Sequence, residues 1–176
     1  MLAAEPYMLV FRVLHIVGGV LWVGSTFLFT AFVGRAAAAV GPAAGPMLHQ
    51  LVVEQKVTKA ITGISVVTVA AGGFAYWHDL QIAGSLGDFV GTDFGLALTI
   101  GAVLGIIAMF WGFFQVGEKV EAMVAFAGNA LTAEGHPPPE FVTEMDRRGA
   151  QLRTNGIVDL LLQLGAVIAM STARYW

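Results

Sequence analysis

The chain has 176 residues, 57% of them hydrophobic and only 12% charged, with a mean hydropathy of +0.75. So little polar surface cannot solvate a soluble globule of this length, which places the protein among membrane proteins. A formal net charge of −3 without a basic tract argues against nucleic acid as a partner, and the lack of cysteine excludes disulfides, thiolate metal sites and iron–sulfur clusters.

Met1 to Pro6 carries Glu5 and no lysine or arginine, which argues against a signal peptide, although Ala36 to Ala39 after Arg35 resembles a cleavage site. Four apolar stretches follow: Tyr7 to Val33, Val57 to Trp77, Phe94 to Val116 and Ile157 to Arg174. Each is close to the ~20 residues a membrane-spanning helix needs. They predict one all-α domain over residues 1–176, an integral membrane four-helix bundle with helical cytoplasmic extensions.

The first span holds an ionisable pair, Arg12 and His15, inside a hydrocarbon-facing segment. His15 is expected about two turns, roughly 12 Å, below the outer end of the helix. Arg12 at i−3, Gly18 and Gly19 at i+3 and i+4, and Trp22 at i+7 share its face. Two glycines below an imidazole leave room for a flat macrocycle, with the histidine nitrogen on its iron and Arg12 near a propionate. The alternative is structural: glycines let two helices approach, the histidine hydrogen-bonds a neighbour, and Arg12 snorkels to the headgroups.

The string Arg-x-Leu-His-Ile-x5-Trp-x-Gly, Arg12 to Gly24, resembles the first helix of a superfamily of helical membrane bundles. That superfamily includes CopD-type copper-resistance domains, HemJ-type protoporphyrinogen oxidases and the membrane domain of bacterial urate oxidases. Glu54-x-Lys56-x2-Lys59-x-Ile61 is similar to the HemJ type as well. The likeness spans about the first 75 residues and implies a b-type haem ligated by His15, with a haem-dependent membrane oxidoreductase as the related activity. Two departures stand out: Ile61 to Ala75 has no proline where the HemJ type has one, and no methionine or histidine cluster flanks His15 for copper.

In the first connection, Met47, Leu48, Leu51 and Val52 form a helical stripe after Gly41-Pro42 and Gly45-Pro46, predicting a lead-in to the second span. The second connection, His78 to Asp93, is acidic at Asp79, Asp88 and Asp93. Beyond the third span, Val120, Met123, Val124, Ala127 and Leu131 continue the helix until Gly135-His136-Pro137-Pro138-Pro139 breaks it. Phe141, Met145 and Leu152 then predict a second helix returning toward the fourth span. That span carries Asp159 and Gln163, with Gln115 of the third span at similar depth. Asp159 is expected either to relay protons or, in preference, to pair Lys56 or Lys59. Met170 lies as far from the outer end as His15, making it a candidate second haem ligand; His78 is a more distant one, and both residues also have ordinary packing or solvated readings. His49 and His136 read as surface residues.

Arg35, Lys56, Lys59, Lys119, Arg147, Arg148 and Arg153 all lie in the first and third connections, and none of the basic residues lies in the second. The positive-inside rule therefore predicts that the first and third connections are cytoplasmic and both termini outward, with Tyr7, Tyr76, Trp77, Tyr175 and Trp176 as an outer aromatic belt; the expected location is the inner membrane of a bacterium. Three function classes follow. The first is a haem b protein in electron transfer or oxidoreduction; the second is a noncatalytic accessory subunit of a larger energy-transducing complex; the weakest is a copper-resistance-type permease. The expected surroundings are lipid, other membrane subunits or further copies of the chain.

Overall fold

The computed structural model of the chain describes residues 6–131 and 138–175, almost all helical and with no strand among them. The readings at Met1 to Glu5, Gly135, His136, Pro137 and Trp176 lie outside the described residues, as does the side chain of Leu131. Helix α1 runs as Pro6–Leu28, a π-helical turn Phe29–Val33 and Gly34–Val40. After a 3-10 turn, Gly41–Ala44, come the short α2, Gly45–His49, and a π-helical turn, Gln50–Glu54. Helix α3 is Val57–Ala83 and α4 is Leu86–Val90. Helix α5 runs as Asp93–Trp111, a π-helical segment Gly112–Gly117 and Glu118–Leu131, and α6 is Pro139–Thr172. Four of these helices are long and apolar enough to cross a membrane. In lipid the backbone polar groups must be satisfied within the chain, and a helix does so locally.

Several helix ends differ from those expected. Helix α1 continues past Val33 because the alanines at 36 to 39 are strong helix formers, and it stops at Gly41, whose φ of +67° suits glycine. Helix α3 continues past Trp77 to Ala83, where Gly84 turns the chain with φ +90°. The second connection is correspondingly short and tightly capped: Ser85 Oγ accepts from the Asp88 amide at 3.1 Å and Thr92 Oγ1 from the Gly95 amide at 3.0 Å. The return helix and the fourth span are one continuous helix, α6. The lead-in before the second span is helical as expected, but a break at Lys56, in the left-handed conformation at φ 52°, separates it from α3.

The four long helices form a ring. Helix α1 packs most extensively on α3 and α5 on α6, with narrower contacts between α3 and α5 and between α1 and α6. Small residues line these seams: Gly18 meets Thr68, Gly101 meets Met170 and Gly156 meets Thr30. Large apolar side chains point outward instead, among them Ile16, Val20, Leu161 and Ile168, each more than 60% exposed. This arrangement suits a lipid solvent. At one end α2, the second half of α5 and the first half of α6 pack together: Val52 and Val124 are buried, Phe126 stacks on Phe141 at 4.8 Å, and Arg148 lies 4.5 Å from the Phe126 ring centre.

Candidate functional site

His15 faces α3. Its Nδ1 lies 2.8 Å from the carbonyl oxygen of Thr68, which can only accept, so Nδ1 carries the hydrogen and donates it. In the neutral ring the lone pair then belongs to Nε2, the nitrogen a metal would take. Thr68 O also receives the helical amide of Gly72, one turn on. A Cβ at position 72 would stand 2.6 Å from both Nδ1 and Cε1 of the imidazole, so only glycine lets the ring reach this carbonyl. Thr68 itself is buried, and its hydroxyl donates to Ile64 O at 2.8 Å.

The other residues of the His15 face divide between seam and surface. A Cβ at Gly18 would collide with Thr68 Oγ1, so the space above Gly18 is taken by α3; Gly19 keeps an ordinary 3.8 Å from Thr68 Cγ2. Trp22 is buried and Arg12 is about half exposed. Arg12 Nη2 lies 3.8 Å from Asp79 Oδ1, and the same oxygen is 3.5 Å from His78 Nδ1. His78 in turn meets Tyr7 edge-on. One turn before His15, Phe11 of α1 stacks on Phe74 of α3 at 4.7 Å, flanking an open groove of about 320 Å³ that reaches Trp77 and His78. Met170 belongs to a different seam, against Gly101 of α5. His49 is exposed on α2.

A second polar cluster lies inside the ring. Gln163 and Asp159, 2% and 3% exposed, are one turn apart on α6. Gln163 Nε2 donates to Asp159 Oδ2 at 3.0 Å and to Thr26 Oγ1 of α1 at 3.1 Å. The expected partnership of Asp159 with Lys56 or Lys59 is not formed: no ion pair among the described residues includes Asp159, and both lysines are exposed. The reason is topological, since α3 packs on α1 and α5 and lies diagonal to α6. Gln115 instead serves the lysine at its own end of α5, accepting from Lys119 Nζ at 2.5 Å. Its carbonyl accepts from Asn155 Nδ2 at 2.9 Å, and the Asn155 carbonyl accepts from Trp111 Nε1 at 3.2 Å.

Four residues of these sites were not singled out from sequence: Thr68, Gly72, Thr26 and Asn155. Thr26 had a signal, since it lies one turn beyond Trp22 on the His15 stripe. Thr68 and Gly72 are common membrane-helix residues, and only their i, i+4 spacing hinted at a contact. Among the described residues no three of His, Asp and Glu gather as a metal site. No known protein family, curated protein or solved structure matches the chain.

Proposed function

We propose that the protein binds a b-type haem through His15 and serves a redox or electron-transfer role in a bacterial inner membrane, with both termini outward. One observation carries this reading: the Thr68 carbonyl fixes the His15 ring and its tautomer from a neighbouring helix, as the outer-shell partners of metal-ligating histidines do. No hydrogen bond engages Nε2 among the described residues, so His15 could hold a haem iron through that nitrogen. When bound, a haem supplies one-electron chemistry. This chain's residues would hold and orient it. His15 would be the ligand, Gly72 gives its ring room, the Phe11–Phe74 groove would offer an apolar wall, and Arg12 would supply a cation for a propionate. Gly18 and Trp22 act one step back, by holding α1 and α3 together; Met170, in the α5–α6 seam, has no place opposite His15 in this arrangement. The resemblance of Arg12 to Gly24 to the HemJ type supports the same reading and extends it to a haem-dependent oxidoreductase. The orientation rests on the lysines and arginines of the first and third connections.

The test is a haemin titration of the purified, detergent-solubilised protein. The account expects saturable binding by the wild-type chain and by His49→Ala, and its loss in His15→Ala. Equal binding by the His15 variant would remove the assignment. A second reading, a noncatalytic accessory subunit, is favoured by the apolar outer face of α1, where Ile16 and Val20 are 63% and 68% exposed. A native mass showing a stable heteromeric complex and no haem would decide for it.

A further inference from the structure

We infer that Asp159, with Gln163 and Thr26, is a proton-binding site inside the bundle that exchanges with water at the Lys119 end of α5. This goes beyond the haem reading and is independent of it, because Thr26 lies about 16 Å further along α1 than His15 at 1.5 Å per residue. Four observations carry it.

Asp159 and Gln163 are almost wholly buried, yet Asp159 Oδ1 and Gln163 Oε1 accept no hydrogen bond from the described residues. Among the described residues no other charged side chain makes a hydrogen bond or ion pair with either of them. Helix α1 presents Thr26 and Thr30 on this seam, α5 presents Trp111 and Gly112, and α6 itself supplies Gln163 and Asn155. Toward the bundle end the charged side chains on these elements are the exposed Arg35 of α1, the exposed Arg153 of α6, and Glu118 and Lys119 of α5, the lysine hydrogen-bonded to Gln115. A carboxylate so placed needs a positive partner, and buried intramembrane carboxyls are functional by default. Asp159, Gln163 and Thr26 offer few oxygens for a desolvated alkali ion, whereas a proton needs only one.

The second observation is room. A Cβ at Gly112 would come within 3.2 Å of Asp159 Oδ2 and 3.4 Å of Oδ1, so glycine leaves this carboxyl free to turn. The third is the backbone: π-helical turns at Phe29–Val33 and Gly112–Gly117 flank the cluster on α1 and α5, and such turns take carbonyls out of the regular ladder. The Gln115 carbonyl, in the second of them, accepts from Asn155. The fourth is a line of polar contacts toward the bundle end, from Lys119 to Gln115 and from the Gln115 carbonyl to Asn155, which stands one turn before Asp159 on α6.

Each protonation state of Asp159 can be met by a different orientation of the Gln163 amide. With Asp159 ionised, Nε2 donates to the carboxylate and to Thr26, as observed. A hydronium ion at the Lys119 end gives its proton to the carboxylate and leaves a water. The amide then turns over, and Oε1 accepts from both the carboxyl O–H and the Thr26 hydroxyl; release reverses these steps. Infrared titration of the full chain in lipid vesicles tests the inference through the C=O stretch of a protonated carboxylic acid. The expected result is a band that grows as pH falls, is lost in Asp159→Asn, shifts when Gln163→Leu removes its partner, and exchanges with deuterium more slowly in Asn155→Leu. Aspartate labelled with carbon-13 assigns the band in the wild-type chain, should a variant fail to fold. A band that ignores pH, one unaffected by aspartate labelling, or one displaced by sodium ions would overturn the inference.

Discussion

Gly72 is the residue on which the His15 geometry depends most. Gly72→Ala puts a methyl into the imidazole ring, and overpacking of this kind costs about 1–3 kcal/mol. The variant should melt earlier in detergent and bind less haemin, because its ring can no longer reach Thr68 O. The two glycines of α1 should part company: Gly18→Leu collides with Thr68 and weakens the bundle, while Gly19→Leu meets only an ordinary contact and is better tolerated. Equal loss of thermal stability in both would contradict the seam described here. Outside the membrane, hydrogen bonds from Arg147 and then Arg148 hold Glu144 down from its ordinary 4.5 to about 2. A lowered carboxyl stabilises the fold fully above its unfolded pKa and loses that contribution as pH falls through its folded one. The melting difference between wild type and Glu144→Gln should therefore be constant above pH 4.5 and vanish on descending toward pH 2. It should also be small, since the pair is partly solvated. His15, Arg12 and Asp159 were legible in the sequence because an ionisable group in an apolar run stands out. Their partners were not, because Thr68, Gly72 and Thr26 are unremarkable until two helices are placed side by side.

At the scale of elements, apolar length located the four spans, whereas their ends were set by local chemistry that hydropathy does not see. Gly84 and the caps at Ser85 and Thr92 let α3 run to Ala83, and the Arg12 contact gives Asp79 a partner within that helix. Among the described residues, Lys56 marks the one break whose residue type does not suit it. Its left-handed backbone costs an L-residue roughly 1–2 kcal/mol, which glycine does not incur. Lys56→Gly should thus be neutral or stabilising by up to about 1 kcal/mol after the entropy that glycine adds to the unfolded chain. Lys56→Val should destabilise, because a branched Cβ is least tolerated there. Thermal midpoints of the two variants check the sign of each. A Val variant as stable as the Gly variant would mean that this backbone is not left-handed in the membrane.

For the whole molecule, hydropathy predicted a four-helix bundle but not the order of the helices around the ring. That order decides which charges meet. Lys59 lies in the first turn of α3 and Lys56 just before it, on the helix diagonal to α6, so matching their depth to that of Asp159 gave the wrong partner. The proposed orientation makes a clean test possible, since the chain has no cysteine of its own. A cysteine at Leu86 should react with an impermeant thiol reagent on intact cells, and one at Glu140 only after the membrane is opened. The reverse pattern would invert the topology and with it the side from which Lys119 meets water. The central claim, that His15 carries a haem, is tested most directly by the absorption spectrum of the protein purified from its membrane, before and after dithionite. The account predicts a Soret band with visible bands that sharpen and split on reduction, all missing from His15→Ala that is otherwise inserted and folded. A wild-type protein without a Soret band, or a His15→Ala protein that keeps it, would contradict the claim.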